Sequence, residues 1–255
     1  MRYALKKIKI FLFGRKKQFT KRIVSKSNSI TLSMIVHNEA NRYLKTVLEH
    51  ALKYVDKVII IDDASTDNTV EVCENILKNT PHKIIKNKVS LFHKEHKLRT
   101  LQWNETLKMK PDWILFLDAD DIFEDIMKFK SKELTSNPDV DVYKFRYFDM
   151  WNENEYREDE YWSAHYRYKP FLIRYQPKFK YKYLKWNHHC GRVPKDLDLL
   201  PNKNSDIRIK HMGWSKEIDR KNKFLRYQKM DPNAEFGISK QYESILDKTP
   251  NLIKF

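Results

Sequence analysis

Glycine is scarce in this sequence, with four residues among 255. A loop that wraps phosphate groups needs glycines at fixed spacing, as in G-x-G-x-x-G or G-x-x-x-x-G-K, because its backbone must approach the phosphate closely. Neither spacing occurs here. The scarcity of glycine therefore excludes the dinucleotide-binding and P-loop classes that depend on these motifs.

Cysteine and long apolar runs are scarce as well. Two distant thiols, Cys73 and Cys190, do not form a disulfide framework, and they favour a reducing cytoplasm. No run approaches the roughly 20 apolar residues of a membrane-spanning helix. Lysines interrupt the apolar residues at positions 3–14, and no small-residue cleavage site of a signal peptide follows them. The sequence predicts a cytoplasmic protein.

Acidic residues are absent from the first 30 positions, which hold ten lysines and arginines, whereas the whole chain has a net charge of +16. Apolar residues at positions 8 and 10–13 accompany them, so residues 1–28 form a basic amphipathic segment. Three roles fit it: a solvated tail, a peripheral contact of residues 1–26 with anionic lipid at the inner membrane face, or a contact with nucleic acid. A basic segment attracts polyanions in general, and no specific nucleic acid is expected.

From residue 30 onward, apolar strands alternate with amphipathic helices. Runs at positions 30–36, 57–63, 82–86 and 112–117 predict strands, and helical spacing at 41–55, 70–77 and 96–109 predicts the helices between them. This alternation is typical of a parallel sheet covered on both faces. The fold class predicted is α/β, a single Rossmann-like domain with a mostly parallel central sheet.

After residue 121 the pattern changes. It predicts a helix at 122–134, strands at 140–148, 171–175 and 206–214, and a helix that begins after residue 215 and ends before 232. The C-terminal half is therefore mixed. We place the domain at residues 29–230, with halves at 29–125 and 126–230 and a C-terminal tail at 231–255.

Polar residues follow three of the four predicted parallel strands: HNE at 37–39, DDASTDNT at 62–69 and DADD at 118–121. Ligands bind beyond the carboxyl ends of parallel strands. Side chains 118 and 120 of an extended chain point the same way, and paired carboxylates attract Mg²⁺ or Mn²⁺, which accept phosphate oxygens as further ligands. Asp62 and Asp63 alone also fit charges at a helix N-terminus. A calcium loop is disfavoured because Phe123 stands where that loop needs glycine.

The segments ITLSMIVHNEA, VIIIDDASTDNT and WILFLDADD, in this order, resemble the inverting family 2 glycosyltransferases, which have an A-type nucleotide-diphospho-sugar transferase fold. The resemblance covers residues 29–125 well and continues loosely to about 230. It implies a nucleotide-sugar half followed by an acceptor half. It also implies that the first strand end and the aspartate pair hold the base and ribose, with Asp63 at the base. The residues concerned are Val36, His37, Glu39, Asp62 and Asp63.

The resemblance also assigns a D-x-D motif to Asp118 and Asp120. Asp120 would ligate the metal directly, and Asp118, beside Ala119, would contact ribose or metal-bound water. The segment LRTLQWN resembles the one that places a basic residue, here Arg99, near the nucleotide. His211 fits a third metal ligand, with a structural histidine as the alternative. The implied cofactor is Mn²⁺ or Mg²⁺, and the implied donor is a nucleoside-diphosphate sugar, a UDP-sugar first.

The sequence departs from the family where the catalytic base is expected. In place of an acidic residue, the segment WNHHCGRVP offers His188 and His189, and a neutral imidazole accepts a proton at about pH 7. We favour His189; Asp149 and Glu153 are the rivals, and packing or acceptor contact is the other role for the histidines. The aromatic residues at 149–168 predict a lid or acceptor surface, with packing over the sheet as the alternative.

The function predicted is therefore metal-dependent, inverting transfer of a sugar to an unidentified acceptor: a cell-surface glycan, a lipid-linked molecule or a protein. A nucleotidyltransferase is the enzymatic alternative, although its glycine-rich, arginine-containing N-terminal loop is missing. The other alternative is a basic nucleic-acid- or membrane-binding protein with a degenerate transferase site.

Overall fold

The computed structural model describes residues 22–25, 27–186, 190–235 and 237–255. The basic segment at 1–21, Lys26, and the histidines His188 and His189 lie outside the described residues. The strands are β1 (Ile30–Val36), β2 (Lys57–Asp62), β3 (His82–Lys86), β4 (Trp113–Phe116), β5 (Asp121–Phe123), β6 (Val142–Asp149), β7 (Glu155–Arg157), β8 (Tyr168–Arg174), β9 (Asn202–His211) and β10 (Leu252–Lys254). The helices are α1 (Leu44–Ala51), α2 (Thr69–Leu77), α3 (Glu95–Lys108), α4 (Met127–Ser136), α5 (Glu217–Met230) and α6 (Ser239–Ser244).

The described residues divide into two compact units that interleave along the chain. The first unit contains the described residues up to Ala119, with Asp125–Lys144 and those of Pro170–Ser205. The second unit contains Asp120–Glu124, Phe145–Lys169 and the described residues of Asp206–Phe255. Strands β6, β8 and β9 each contribute residues to both units.

A parallel sheet forms the centre of the first unit. Strand β1 pairs in parallel with β2 and β4, and β2 pairs in parallel with β3. Strand β8 joins β4 antiparallel, which gives the hydrogen-bonded order β3-β2-β1-β4-β8. The strands are apolar almost throughout because both faces of the sheet are covered: Leu98 of α3 packs on Ile59 and Ile61. The predicted α/β class with its parallel N-terminal half is confirmed.

Helices α2, α3 and α5 agree with the predictions, and α1 forms only the middle of the predicted 41–55. The region after Asp120 does not agree. Residues 121–123 form β5, which pairs antiparallel with β9, and helix α4 begins only at Met127. The predicted helix at 122–134 was therefore wrong over its first turn. A three-residue strand depends on its partner far along the chain, and local periodicity does not contain that partner.

Aromatic packing dominates the second unit. Trp151, Trp162 and Trp214 are 5%, 2% and 8% exposed and form a cluster with Tyr242, and the guanidinium of Arg157 lies over the rings of both Trp151 and Trp162. Trp151 and Trp162 fill a core, so the prediction that the aromatic residues of 149–168 form a lid or acceptor surface was wrong for these two.

The C-terminal residues belong to the same unit. Helix α6 and strand β10 lie within the segment 231–255, and β10 pairs antiparallel with β7. Among the described residues, each helix is too short or too polar to cross a lipid bilayer.

Candidate functional site

Asp62 ends β2 in the first unit and has an unsatisfied buried oxygen. The residue is 3% exposed, and its Oδ2 accepts a hydrogen bond from the backbone N–H of Ser65 at 3.3 Å. Its Oδ1 has no hydrogen-bond partner among the residues that the structure describes. A buried carboxylate oxygen without a donor is costly, so this atom fits a ligand that brings an N–H or O–H.

Asp63 is also buried, but its carboxylate already accepts three hydrogen bonds. The donors are Nδ2 of Asn87 at 2.8 Å, Oγ of Ser90 at 2.6 Å and the backbone N–H of Leu91 at 2.8 Å. Asp63 therefore fixes the segment after β3. A carboxylate offers about four acceptor positions, so the bonds from the described residues leave about one of them unused.

The loops that follow β1 and β2 are joined by short hydrogen bonds. His37 Nδ1 lies 2.8 Å from the carbonyl oxygen of Asp63, whose own N–H donates to the carbonyl of Val36 at 2.9 Å. The backbone N–H of Glu39 donates to Oγ1 of Thr69 at 2.7 Å. The structure thus brings together all five residues that the resemblance assigns to the base and ribose. We call this region of the first unit the polar edge.

Two arginines hold Asp118, which follows β4. Nε of Arg192 donates to Oδ2 of Asp118 at 3.1 Å, and Nη2 of Arg99 lies 3.6 Å from Oδ1. Arg99 was predicted here, whereas Arg192 was missed, although it stands in the WNHHCGRVP segment. Glu95 also lies 3.6 Å from Nε of Arg99, so the two guanidinium groups face two carboxylates. Guanidinium groups in this arrangement are suited to bind phosphate. Ala119, next in the chain, is 4% exposed.

Three side chains of the second unit form an acid–histidine cluster: Asp120, Asp121 and His211. One ligand atom from each lies within 4.8 Å of those from the other two. Backbone pairing causes this convergence, because Asp121 lies opposite His211 in the β5–β9 ladder and the N–H of Met212 donates to the carbonyl of Asp120. The sequence predicted Asp120, Asp118 and His211 as metal ligands. Asp118 is not a member of this cluster, because Arg99 and Arg192 hold it, and Asp121 takes the place that the sequence did not assign to it.

Asp149 fixes the orientation of His211. Its Oδ1 lies 2.7 Å from Nδ1 of His211, while Nε2 lies 3.5 Å from Oδ2 of Asp120, and the imidazole stacks on Tyr147. Burial alone would lower the pKa of His211, but the neighbouring carboxylates, Asp120 first, raise it to about 9. Burial would raise the pKa of Asp149, but its hydrogen bond to His211 and the positive charges of His211, Lys169 and Lys223 together outweigh burial and lower the pKa.

The donor set of the cluster fits a divalent cation. Two carboxylates suit Mg²⁺ or Mn²⁺, and the imidazole adds a ligand that Mn²⁺ accepts more readily. A histidine ligand whose other nitrogen is bonded to a carboxylate is the usual arrangement at metal centres. Gly213 leaves room for the polar atoms of the cluster, because a Cβ atom there would lie closer than 3.0 Å to Asp120, to His211 and to the ammonium of Lys223.

Comparison with known proteins identifies the family. The profile described as "Glycosyl transferase family 2" matches residues 31–192. The chain belongs to this family, and the resemblance seen in the sequence is confirmed.

Similar proteins are longer than this chain. Glycosyltransferase GlyG of Streptococcus pneumoniae is 28% identical over 128 residues, which cover 48% of this chain and 40% of GlyG. The uncharacterized protein Rv3786c of Mycobacterium tuberculosis is 24% identical over 231 residues, or 84% of this chain and 54% of that protein. The chain thus spans about half, or less, of the length of these relatives.

Solved structures also resemble the chain. S. aureus TarS 1–349 in complex with UDP-GlcNAc has 14% identity and a TM-score of 0.49, over 86% of this chain and 70% of that one. Glucosyl-3-phosphoglycerate synthase from Mycobacterium tuberculosis, in complex with Mn²⁺, UDP and glucosyl-3-phosphoglycerate, has 14% identity and a TM-score of 0.34, over 52% of this chain and 47% of that one.

Proposed function

We propose that this chain transfers a glycosyl group from a nucleoside-diphosphate sugar with the help of a divalent cation. The observation that carries the proposal is the acid–histidine cluster, whose ligand atoms lie within 4.8 Å of one another in a chain of this family. Mn²⁺ or Mg²⁺ is the proposed ion, held by Asp120, Asp121 and His211.

The polar edge is proposed to bind the nucleoside. The buried Oδ1 of Asp62 would accept from a ribose hydroxyl or a base N–H, and Asp63 retains one acceptor position for the base. Arg99 and Arg192 would contact phosphate oxygens beside Asp118. A UDP-sugar is the donor that we propose first; TarS, described with UDP-GlcNAc, supports this choice of donor class.

The reaction that we propose takes the inverting course that the family resemblance implies. An acceptor hydroxyl attacks the anomeric carbon while the diphosphate leaves from the opposite side, so the configuration at that carbon is inverted. A base takes the hydroxyl proton, and we keep His189, with His188 beside it, as the proposed base. A bound cation would supply positive charge to the departing diphosphate.

The acceptor class remains the one expected from the sequence: a glycan, a lipid-linked molecule or a protein.

We also propose that residues 1–26 contact anionic lipid at the inner membrane face. Arg22 pairs with the fully buried carboxylate of Asp141, so the test deletes residues 1–21 only. This deletion should release the protein from anionic vesicles while turnover of the sugar nucleotide continues. Loss of turnover on deletion, with vesicle binding unchanged, would contradict this role.

The decisive experiment measures hydrolysis of UDP-, GDP-, CDP- and dTDP-sugars with and without Mn²⁺ or Mg²⁺. Wild type should release one nucleoside diphosphate in a metal-dependent manner, and Asp120→Ala should not. Asp198→Ala is the matched control, since that side chain is 80% exposed and pairs with Lys144. Absence of release by folded wild-type protein, together with salt-sensitive binding to nucleic acid, would favour the basic binding protein instead.

A further inference from the structure

A lysine shares the space of the acid–histidine cluster. A Cβ atom built on Gly213 would lie closer than 3.0 Å to Oδ2 of Asp120, to Nε2 of His211 and also to Nζ of Lys223. The ammonium group therefore occupies the same small volume as two of the three proposed metal-ligand atoms. Any side chain larger than that of glycine at position 213 would displace one of these three groups.

Lys223 is held in this position by its surroundings. It lies in α5, and its Nζ is 4.0 Å from the ring centroid of Trp214, which is 8% exposed. A cation over an indole face is a favourable contact. Lys221, two residues earlier on the same helix, is 57% exposed and pairs with Glu217 at 2.6 Å. Lys223 is thus directed toward the cluster, whereas Lys221 is a surface residue.

A fixed ammonium beside cation ligands is unfavourable for metal binding alone, because it repels the incoming divalent ion. The arrangement becomes favourable when a multiply charged anion arrives together with the metal. The donor's diphosphate is such an anion, and its negative charge grows as it leaves the sugar. The ammonium of Lys223 and a bound divalent ion would then both stabilise the negative charge of the diphosphate.

We propose that Lys223 is a catalytic residue that contacts the diphosphate of the donor and stabilises it as it leaves. This assignment rests on the proposed function. As the bond between the anomeric carbon and the phosphate oxygen breaks, its electron pair stays on that oxygen, next to the ammonium. The acceptor oxygen forms the new bond to carbon, and its proton goes to the base. Lys223 keeps its own protons throughout, and Gly213 leaves room for the ammonium.

The test compares Lys223→Met with Lys221→Met in the full chain, using calorimetry with Mn²⁺ alone and with UDP, GDP, CDP and dTDP in the presence of Mn²⁺. Lys223→Met should bind Mn²⁺ alone roughly three- to tenfold more tightly, because a repelling charge is gone. The same variant should bind the preferred nucleoside diphosphate about tenfold more weakly, and its kcat should fall about 100-fold. Lys221→Met should match wild type in all three measurements.

The opposite signs of the two binding effects separate this role from damage to the fold, which would weaken both. Lys223→Arg keeps the charge and should recover part of the nucleotide affinity. If Lys223→Met binds nucleotide and turns over like wild type, the role of Lys223 is wrong, while loss of turnover in Asp120→Ala still supports the proposed function. If wild type binds no nucleoside diphosphate, the proposed function fails, and the role of Lys223 fails with it.

Discussion

The polar edge of the first unit and the acid–histidine cluster of the second unit hold their carboxylates in different ways. Asp63 and Asp118 are satisfied by hydrogen-bond donors and guanidinium groups of their own unit. Asp120 and Asp121 gather around one imidazole, and Asp121 also accepts a hydrogen bond from the hydroxyl of Tyr147. Only Ala119 separates Asp118 from Asp120 in the motif, yet the two aspartates belong to different units. The polar edge therefore suits a neutral or anionic ligand, and the acid–histidine cluster suits the cation proposed for it.

The largest effect should come from removing the imidazole of the cluster. His211→Ala deletes a proposed metal ligand and removes the histidine that pairs with the largely buried Asp149. Loss of a residue that only hydrogen-bonds to a ligand lowers metal affinity by up to ~100-fold. Mn²⁺ affinity should fall by more than this in His211→Ala. Calorimetric titration with Mn²⁺ measures this. His93→Ala, an exposed histidine of the first unit, is the control. Equal Mn²⁺ affinity in wild type and His211→Ala would show that the cluster does not bind the ion.

Asp149→Asn should have a smaller effect of the same sign. The substitution keeps the shape of the side chain but removes the charge that orients His211, and Mn²⁺ affinity should fall by about 10- to 100-fold. The measurement also decides between two roles for Asp149. If it were the catalytic base, kcat would fall while Mn²⁺ affinity stayed constant. Asp198→Asn, which alters a carboxylate that is 80% exposed, serves as the matched control.

Within the polar edge, the two adjacent aspartates should separate binding from stability. Asp63→Asn disrupts hydrogen bonds that fix the segment after β3, so the free energy of unfolding should fall by about 1–3 kcal/mol. Asp62→Asn alters a carboxylate with one unsatisfied oxygen, so it should weaken nucleotide binding with little loss of stability. Denaturant unfolding without nucleotide, followed by nucleotide titration, checks both. A loss of stability in Asp62→Asn, with stability unchanged in Asp63→Asn, would contradict the roles assigned to the two aspartates.

The sequence predicted those features that depend on neighbours along the chain. Strands β1 and β3 have the predicted bounds, and the polar residues after β1, β2 and β4 follow from where those apolar runs end. The features that it missed depend on distant partners. Asp121 joins the cluster through the β5–β9 ladder, and Arg192 meets Asp118 across 74 positions of sequence. No local pattern distinguishes Lys223 from the other two lysines of α5, Lys221 and Lys229.

The smallest effect should come from Asp112, a satisfied carboxylate of the first unit that lies just before β4. It accepts hydrogen bonds from the hydroxyl groups of Ser27 and Ser29 and from the N–H of Ser29, which anchors the chain that leads into β1. Burial would raise the pKa of Asp112, but the serine hydroxyls, with Ser25 among them, outweigh it and lower the pKa.

Asp112→Asn should therefore lower the free energy of unfolding by about 1 kcal/mol at neutral pH. Because the folded pKa lies below the unfolded value of about 3.9, this stabilisation is complete above that value and is lost as the pH falls through the folded pKa. Unfolding curves of the two proteins should converge below about pH 4, and nucleotide affinity should be unchanged. Asp112 lies beside the start of β1, not at the carboxyl ends of β1 and β2 where the polar edge lies. A weaker nucleotide affinity in Asp112→Asn would show that this satisfied carboxylate also serves the ligand. The contrast between the two regions would then be wrong.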